Sequence, residues 1–244
     1  VLDLTGNGTI TGAVRLEGST LKASGSPTIS GDITQSDDAT IEVASSQTLS
    51  YTGSSLNLGA NKLTLTGGGT FNNTNALILN DADSLLSLEG ISTIGDVYGT
   101  TASNSGKGIQ VTSSATLGDY DLSALSYLSL AANQTLDGQL NLKTNGELKT
   151  SGDGQYIGDM ELAGGKFSAT DDQVLGGTLS IAADSELTVS QGQTLTLSQA
   201  GGLPLEANTL TISGGGNFVS GGVTLNNANS KLLLNSITVD SVIT

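Results

Sequence analysis

The 244-residue sequence predicts an all-β fold, a parallel β-solenoid with about three short strands in each coil. Three kinds of observation predict it. Apolar residues alternate with polar ones in short runs, Gly, Asn, Asp and Ser separate these runs, and long phrases recur at a fixed distance. Alternation is the pattern of half-buried strands, clustered turn residues keep the strands short, and a fixed repeat is typical of stacked repeat folds.

The strands are predicted from pairs of apolar residues at positions i and i+2, mostly with a polar residue between them. These pairs are Val14/Leu16, Leu21/Ala23, Ile41/Val43, Leu49/Tyr51, Leu56/Leu58, Leu63/Leu65, Leu77/Leu79 and Leu86/Leu88. Both members of a pair point to the same side of a strand, which we assign to the core. Three strands take about 22 residues, matching the steps from Ile41 to Leu63 and to Leu86, and we interpret one triplet as one coil.

A long internal duplication extends this pattern. Residues 12–94 and 158–240 are copies, offset by 146 residues at their start, and residues 95–157 form an unduplicated middle. The phrase "GANKLTLTGGGTF" at 59–71 returns as "EANTLTISGGGNF" at 206–218 after a one-residue insertion. An offset of 146 is close to seven coils of about 21 residues, so each copy returns to the same face. Residues 1–244 are therefore predicted to form one solenoid of about eleven coils, a rod of roughly 50 Å at about 4.8 Å per coil.

The repeated phrases assign several side chains. Phe71 and Phe218 occupy equivalent positions and are predicted to stack inside the coils. The glycine triplets at 67–69 and 214–216 are predicted to turn corners with positive φ, and no helix pattern follows them, as a phosphate-binding loop would require. Asp81 and Asp83 become Asn227 and Asn229 in the second copy, a change that favours a turn over a calcium site.

The segment "DLSALSYLSL" at 121–130 is ambiguous in secondary structure. Leu122, Leu125 and Leu128 have a spacing that suits a helix, whereas Leu128 and Leu130 alternate as they would in a strand.

Composition excludes several classes of function. The formal net charge is −15, so nucleic acid and anionic membrane surfaces are not expected as partners. Cys and His are absent, the sole Arg is Arg15, and no apolar run reaches about 18 residues. We therefore predict no metal, no cofactor and no direct membrane insertion. Because "VLDLTGNG" has neither a start Met nor a basic-then-apolar signal, we expect the chain to be a segment of a longer polypeptide.

The unduplicated middle holds the candidate ligand-binding residues. They are Tyr98, Tyr120, Tyr127, Tyr156, Asp119 and Asp121. Aromatic rings on the outside of a solenoid can stack on sugar rings, and "TTASNSGKG" at 100–108 resembles a loop at a corner, so a glycan-binding surface is predicted here. The alternative is that these tyrosines only cover apolar edges of the core.

The phrases "ANKLTLTGGGTF", "ANTLTISGGGNF" and "AANQTLDGQLNL" resemble the repeats of secreted β-helical adhesins, including autotransporter passengers and filamentous-haemagglutinin-like proteins. The resemblance implies a right-handed parallel β-solenoid at the bacterial cell surface or outside the cell. It implies a non-enzymatic structural or adhesive rod, a segment of a larger adhesin, with cell-surface glycans or other cells as partners.

Two other functions remain open. One is a self-assembling surface filament or surface-layer subunit, because "VLDLT" and "SITVDSVIT" read as strands without polar caps and end-to-end self-association would cover their edges. The other is a polysaccharide-degrading β-helix enzyme. Asp119 and Asp121 are its best acid pair, since they share one side of a strand, although an exposed pair without catalytic function has the same pattern.

The inward and outward assignment is tested by two adjacent substitutions. Leu65→Asp places a charge in the predicted core and is expected to lower the free energy of unfolding by at least about 4 kcal/mol. Thr64→Asp places the same charge outside and should change it by less than about 1 kcal/mol. Urea unfolding followed by circular dichroism measures both, and equal effects would contradict the assignment.

Overall fold

The structure is a computed structural model that describes residues 1–99 and 108–244. Within these ranges the chain has no helix, and its parallel strands stack in a β-solenoid of about 11 turns. The predicted all-β parallel solenoid is confirmed. No described segment forms a helix of the length and hydropathy needed to cross a membrane.

The strands are short, and most contain two to five residues. The first eleven are β1 (Leu2–Leu4), β2 (Thr9–Ile10), β3 (Val14–Leu16), β4 (Thr20–Ala23), β5 (Thr28–Ile29), β6 (Ile33–Gln35), β7 (Ala39–Val43), β8 (Thr48–Tyr51), β9 (Leu56–Asn57), β10 (Lys62–Thr66) and β11 (Thr70–Asn73). The next eleven are β12 (Leu77–Leu79), β13 (Leu85–Glu89), β14 (Thr93–Ile94), β15 (Val97–Gly99), β16 (Gly108–Val111), β17 (Ala115–Leu122), β18 (Leu125–Leu130), β19 (Thr135–Lys143), β20 (Glu147–Ser151), β21 (Gln155–Tyr156) and β22 (Met160–Ala163). The last eleven are β23 (Lys166–Ala169), β24 (Gln173–Leu175), β25 (Leu179–Ala183), β26 (Ser185–Val189), β27 (Thr194–Leu197), β28 (Leu203–Pro204), β29 (Thr209–Ser213), β30 (Asn217–Val219), β31 (Val223–Thr224), β32 (Lys231–Asn235) and β33 (Thr238–Asp240).

The first face of the solenoid is one continuous parallel sheet of 12 strands. Its order is β1-β4-β7-β10-β13-β16-β18-β20-β23-β26-β29-β32, one strand from each successive coil. Equivalent strands of the two sequence copies, such as β10 and β29, lie seven positions apart in this order. The seven-coil spacing predicted from the 146-residue offset therefore agrees with the sheet order.

The other two faces are built from the remaining strands. The second face contains β2, β5, β8, β11, β14, β21, β24, β27, β30 and β33, and the third contains β3, β6, β9, β12, β15, β22, β25, β28 and β31. The long strands β17 and β19 pair with neighbours on both of these faces, so each of them crosses the corner between the two. Most coils thus contribute three strands, as predicted.

The coils differ in length. Leu2 pairs with Leu21, a step of 19 residues, whereas Ser185 pairs with Leu210, a step of 25. The predicted step from Ile41 to Leu63 is wrong, because Ile41 pairs with Leu65. A shift of two residues leaves inward side chains inward and outward side chains outward. The alternation of apolar and polar residues therefore does not reveal the shift.

The core is a set of inward columns that run along the rod. Leu21, Ile41, Leu65, Leu88 and Val111 occupy one such column, each paired with the next across the first face and each completely buried. All sixteen residues of the predicted apolar pairs are buried. Each buried Leu, Ile or Val among them contributes on the order of 1.5–3 kcal/mol.

Aromatic residues fill the wider parts of the interior. Phe71 and Phe218 are fully buried, which confirms the prediction for both copies. The rings of Tyr51 and Phe71 stack with centroids 6.3 Å apart, a separation within the favourable range for aromatic pairs. In the ambiguous segment 121–130 the strand interpretation is confirmed, since it forms the end of β17 and all of β18.

The glycine triplets form corners, as predicted. Gly67 and Gly68 have φ values of 103° and 78°, and Gly214 and Gly215 have values of 112° and 85°. A side chain at Gly67 would also meet the neighbouring coil, because a Cβ there would lie 2.3 Å from the carbonyl oxygen of Val43. The corner therefore needs glycine both for its backbone conformation and for the close approach of the next coil.

The Asp81 turn is confirmed by the hydrogen bonds of both copies. The Asp83 amide donates to Asp81 Oδ1 at 2.9 Å, and the Asn229 amide donates to Asn227 Oδ1 at the same distance. An aspartate and an asparagine thus make the same Asx turn, because each supplies a side-chain oxygen at the same place.

Replacing one corner glycine tests the strain argument. Gly67→Ala should lower the free energy of unfolding by about 2 kcal/mol or more, because alanine disfavours the positive φ and its methyl group would collide with the Val43 carbonyl. Gly12→Ala is the control, since a Cβ at Gly12 meets nothing within 4 Å. Thermal and urea unfolding measure both, and an equal effect of the two would contradict this account of the corner.

Candidate functional site

The four candidate tyrosines do not form one surface. Tyr120 and Tyr156 are buried in the core, so the expectation that their rings face a ligand is wrong. The Tyr120 hydroxyl lies 2.7 Å from Ser126 Oγ, and the Tyr156 hydroxyl donates to the Gly138 carbonyl oxygen at 2.7 Å. Burial raises the pKa of both phenols well above the ordinary value. Both residues therefore stabilise the interior.

Tyr98 and Tyr127 are half-buried but lie on different faces. Tyr127 is in β18 on the first face, where Lys149 Nζ lies 5.7 Å from the centroid of its ring. Tyr98 is in β15 on the third face. The predicted corner loop at 100–108 lies outside the described residues except for Gly108.

Parallel pairing brings Tyr98 to a group of polar side chains. Tyr98 pairs with Asp121 on the next coil, and Asp121 pairs with Asn141 on the coil after that. Lys143 lies two residues beyond Asn141 on β19, so its side chain points to the same side. We call Tyr98, Asp121, Asn141 and Lys143 the third-face polar ladder.

Hydrogen bonds join the members of the ladder. Asn141 Nδ2 donates to Asp121 Oδ1 at 2.6 Å, and Lys143 Nζ donates to Asp121 Oδ2 at 2.5 Å. Gln139 Nε2 donates to Asn141 Oδ1 at 3.0 Å and extends the group along β19. Each carboxylate oxygen of Asp121 thus accepts a hydrogen bond from the next coil, which holds the two coils in register.

Electrostatics within the ladder favour the charged form of its lysine. The hydrogen bond to Asp121 raises the pKa of Lys143 and outweighs the opposite effect of burial, and weaker effects of the charges of Asp121, Tyr98 and Asp119 act in the same direction as the hydrogen bond. The pair is partly open to solvent, with side-chain exposures of 54% for Lys143 and 20% for Asp121. Its Coulomb attraction is therefore weakened by water.

The two residues of the predicted acid pair lie on the same side of one strand, as expected. Asp119 and Asp121 flank the buried Tyr120 on β17, so both carboxylates face outward. Asp121 already accepts one hydrogen bond on each carboxylate oxygen, from Asn141 and from Lys143, and each oxygen keeps a lone pair for a further donor.

A shallow depression of about 270 Å³ opens over the ladder. Tyr98, Gly99, Asp121, Ser123 and Lys143 line it. It combines part of an aromatic ring with an ammonium group, a carboxylate and a hydroxyl, which are groups that can bind a hydroxyl-bearing ligand.

Asn141 and Lys143 were not predicted as site residues. They follow Asp121 by 20 and 22 residues, so a search one coil further along the sequence could have found them. The varying coil length hides this signal, because the register between β17 and β19 shifts between Thr116 and Asp119.

No metal centre is evident in the parts of the chain that the structure describes. Among those residues, no three His, Cys, Asp or Glu side chains lie close enough together to hold a metal ion.

Comparison with known proteins identifies no relative. No protein-family model matches the chain, and no curated protein and no solved structure matches it either. The function is therefore argued from the residues and their geometry.

The Asp121–Lys143 contact makes a testable prediction about titration. Asp121→Asn should return the pKa of Lys143 toward its ordinary value, since it removes the carboxylate that raises it. A raised lysine pKa stabilises the folded state at neutral pH, and this contribution disappears as the pH rises through that pKa.

The measurement is an NMR titration of the lysine side-chain resonances, with Lys143→Arg used to assign the signal. Asp119→Asn is the matched control, since Asp119 lies on the same strand as Asp121 and raises the pKa of Lys143 much less directly, through its charge alone. A larger effect of the control than of Asp121→Asn would contradict the assignment of the contact.

Proposed function

We propose that this chain is a non-enzymatic structural and adhesive rod at the bacterial cell surface, a segment of a larger adhesin that binds glycans. The third-face polar ladder is the proposed binding surface. The partners of the chain would be cell-surface glycans, presented by other cells or by the surrounding matrix.

The structural role is supported by the unbroken first face. Twelve parallel strands pair from β1 to β32, and the inward columns of every coil pack on those of the next. Bending such a rod would separate backbone hydrogen bonds and buried apolar side chains together. A stiff scaffold of this kind can hold a binding surface at a distance from its attachment point.

The observation that carries the adhesive role is the partly exposed Tyr98 ring beside Asp121, Asn141 and Lys143 on adjacent coils. A sugar ring has a face of C–H groups that packs on an aromatic side chain and hydroxyl groups that exchange hydrogen bonds with carboxylate, amide and ammonium groups. Tyr98, Asp121 and Lys143 supply the ring, the carboxylate and the ammonium group within one depression, and the Asn141 amide is hydrogen-bonded to Asp121.

Removing the Tyr98 ring tests the proposal. Tyr98→Ala is expected to weaken binding to the glycans that the unmodified protein binds by about twofold to twelvefold, because ring packing contributes about 0.5–1.5 kcal/mol. Tyr127→Ala is the matched control, since Tyr127 is also half-buried but lies on the first face. A glycan array followed by titration of each bound glycan measures the change.

Two results would overturn this function. Equal binding by both variants would remove the third-face polar ladder from adhesion. Fibres that lengthen with protein concentration in negative-stain electron microscopy, without glycan binding, would instead favour end-to-end assembly as the function.

A further inference from the structure

The third face is interrupted at the same place in both sequence copies. In the first copy β6 and β9 lie side by side but belong to different sheets, and in the second copy the same is true of β25 and β28. Ile33 of β6 corresponds to Leu179 of β25 at the 146-residue offset. The interruption is thus a repeated feature of the fold. We call the break between β6 and β9 the first gap and the break between β25 and β28 the second gap.

Side chains close the first gap. The Ile33 amide donates to the Tyr51 hydroxyl at 3.1 Å, and this hydroxyl donates to the Ser54 carbonyl oxygen at 2.5 Å. Asp32 Oδ1 accepts from the amide of Ser54 at 3.0 Å and from its hydroxyl at 2.8 Å. The hydroxyl of Tyr51 and the carboxylate of Asp32 therefore connect the two sides of the first gap.

The second gap lacks the equivalents of these residues. Leu197 stands where the first copy has Tyr51, and Thr178 stands where it has Asp32. The Leu179 amide donates to Gln199 Oε1 at 2.6 Å, and Gln199 Nε2 donates to the Gly202 carbonyl oxygen at 2.6 Å. Gln199 replaces the hydrogen bonds of the Tyr51 hydroxyl without replacing the volume of its ring.

A groove opens where the second gap is left unfilled. Its volume is about 490 Å³, within the range typical of ligand pockets. Exposed Ala200 and Pro204 supply its apolar surface, and the hydroxyls of Ser180 and Ser198 line its edge, whereas Leu179 and Ile181 beneath it are almost completely buried. The corner beside the groove is one residue longer than in the first copy, with five residues between Leu197 and Leu203.

Glu206 adds a carboxylate to this groove at an unusual backbone position. Its φ is +50°, and the equivalent residue of the first copy, Gly59, has φ +55°. Glycine adopts this conformation at little cost, whereas glutamate is disfavoured there. The second copy thus carries an acidic side chain at a place where the backbone favours glycine.

We propose that the second gap is a separate glycan-binding groove that holds one ring of a neutral polysaccharide. Ala200 and Pro204 would pack on the C–H face of the ring, and the Ser180 hydroxyl and Glu206 carboxylate would hydrogen-bond its hydroxyl groups. The carboxylate and the net charge of −15 disfavour an anionic ligand. This site goes beyond the third-face polar ladder and does not depend on it.

The test uses affinity electrophoresis of the whole chain in gels containing dextran, mannan, xylan or galactan. Two variants alter the groove. Glu206→Gly introduces the glycine that the first copy has at the equivalent position, and Ser180→Trp places a large side chain in the groove from an exposed position. Thr34→Trp is the matched control, because Thr34 is the exposed equivalent of Ser180 beside the first gap. Thermal unfolding verifies that each variant folds.

We expect at least one polysaccharide to retard the unmodified protein, and both groove variants to weaken that binding at least tenfold while Thr34→Trp does not. Retardation by none of the four polysaccharides, or equal retardation of all variants, would overturn the proposal. Binding that is lost in Tyr98→Ala but kept in both groove variants would support the third-face polar ladder and overturn the groove.

Discussion

The parallel hydrogen-bonded pairing of each coil with the next is the interaction on which the rest of the structure depends. A single coil of about 21 residues encloses too few side chains to form a core of its own. Its Leu, Ile and Val become buried only when coils above and below cover them, as in the column from Leu21 to Val111. Stability is therefore a property of the stack, and each coil contributes through its two neighbours.

This constraint is satisfied differently on the three faces. The first face keeps all its pairings, and differences in coil length, from 19 to 25 residues, are absorbed elsewhere. The third face has both interruptions, between β6 and β9 and between β25 and β28, and it also carries the polar ladder. Outward residues on this face can vary without disturbing the inward columns, so both proposed ligand-binding surfaces lie where the fold tolerates change.

The sequence predicts the strands, the corners and the seven-coil offset well, because alternation and turn chemistry are local. The register is harder, since Ile41 pairs with Leu65 and a two-residue shift leaves the alternation intact. Tyr120 shows a second limit: its aromatic character suggested a ligand surface, yet Asp119 and Asp121 on either side already required it to point inward. The contact of Lys143 with Asp121 depends on the register across coils of unequal length, so the sequence alone did not predict it.

The distance between equivalent residues of the two copies tests the stacked-coil account most directly. Thr64 in β10 and Thr211 in β29 both face outward on the first face, and the chain has no Cys, so each can be replaced by Cys and spin-labelled without background. Seven coils at about 4.8 Å, with a small sideways offset along the strands, predict a label separation of about 35 Å. A narrow distribution near that value in pulsed electron paramagnetic resonance is the expected result. A separation below about 25 Å would contradict a continuous parallel stack between the copies.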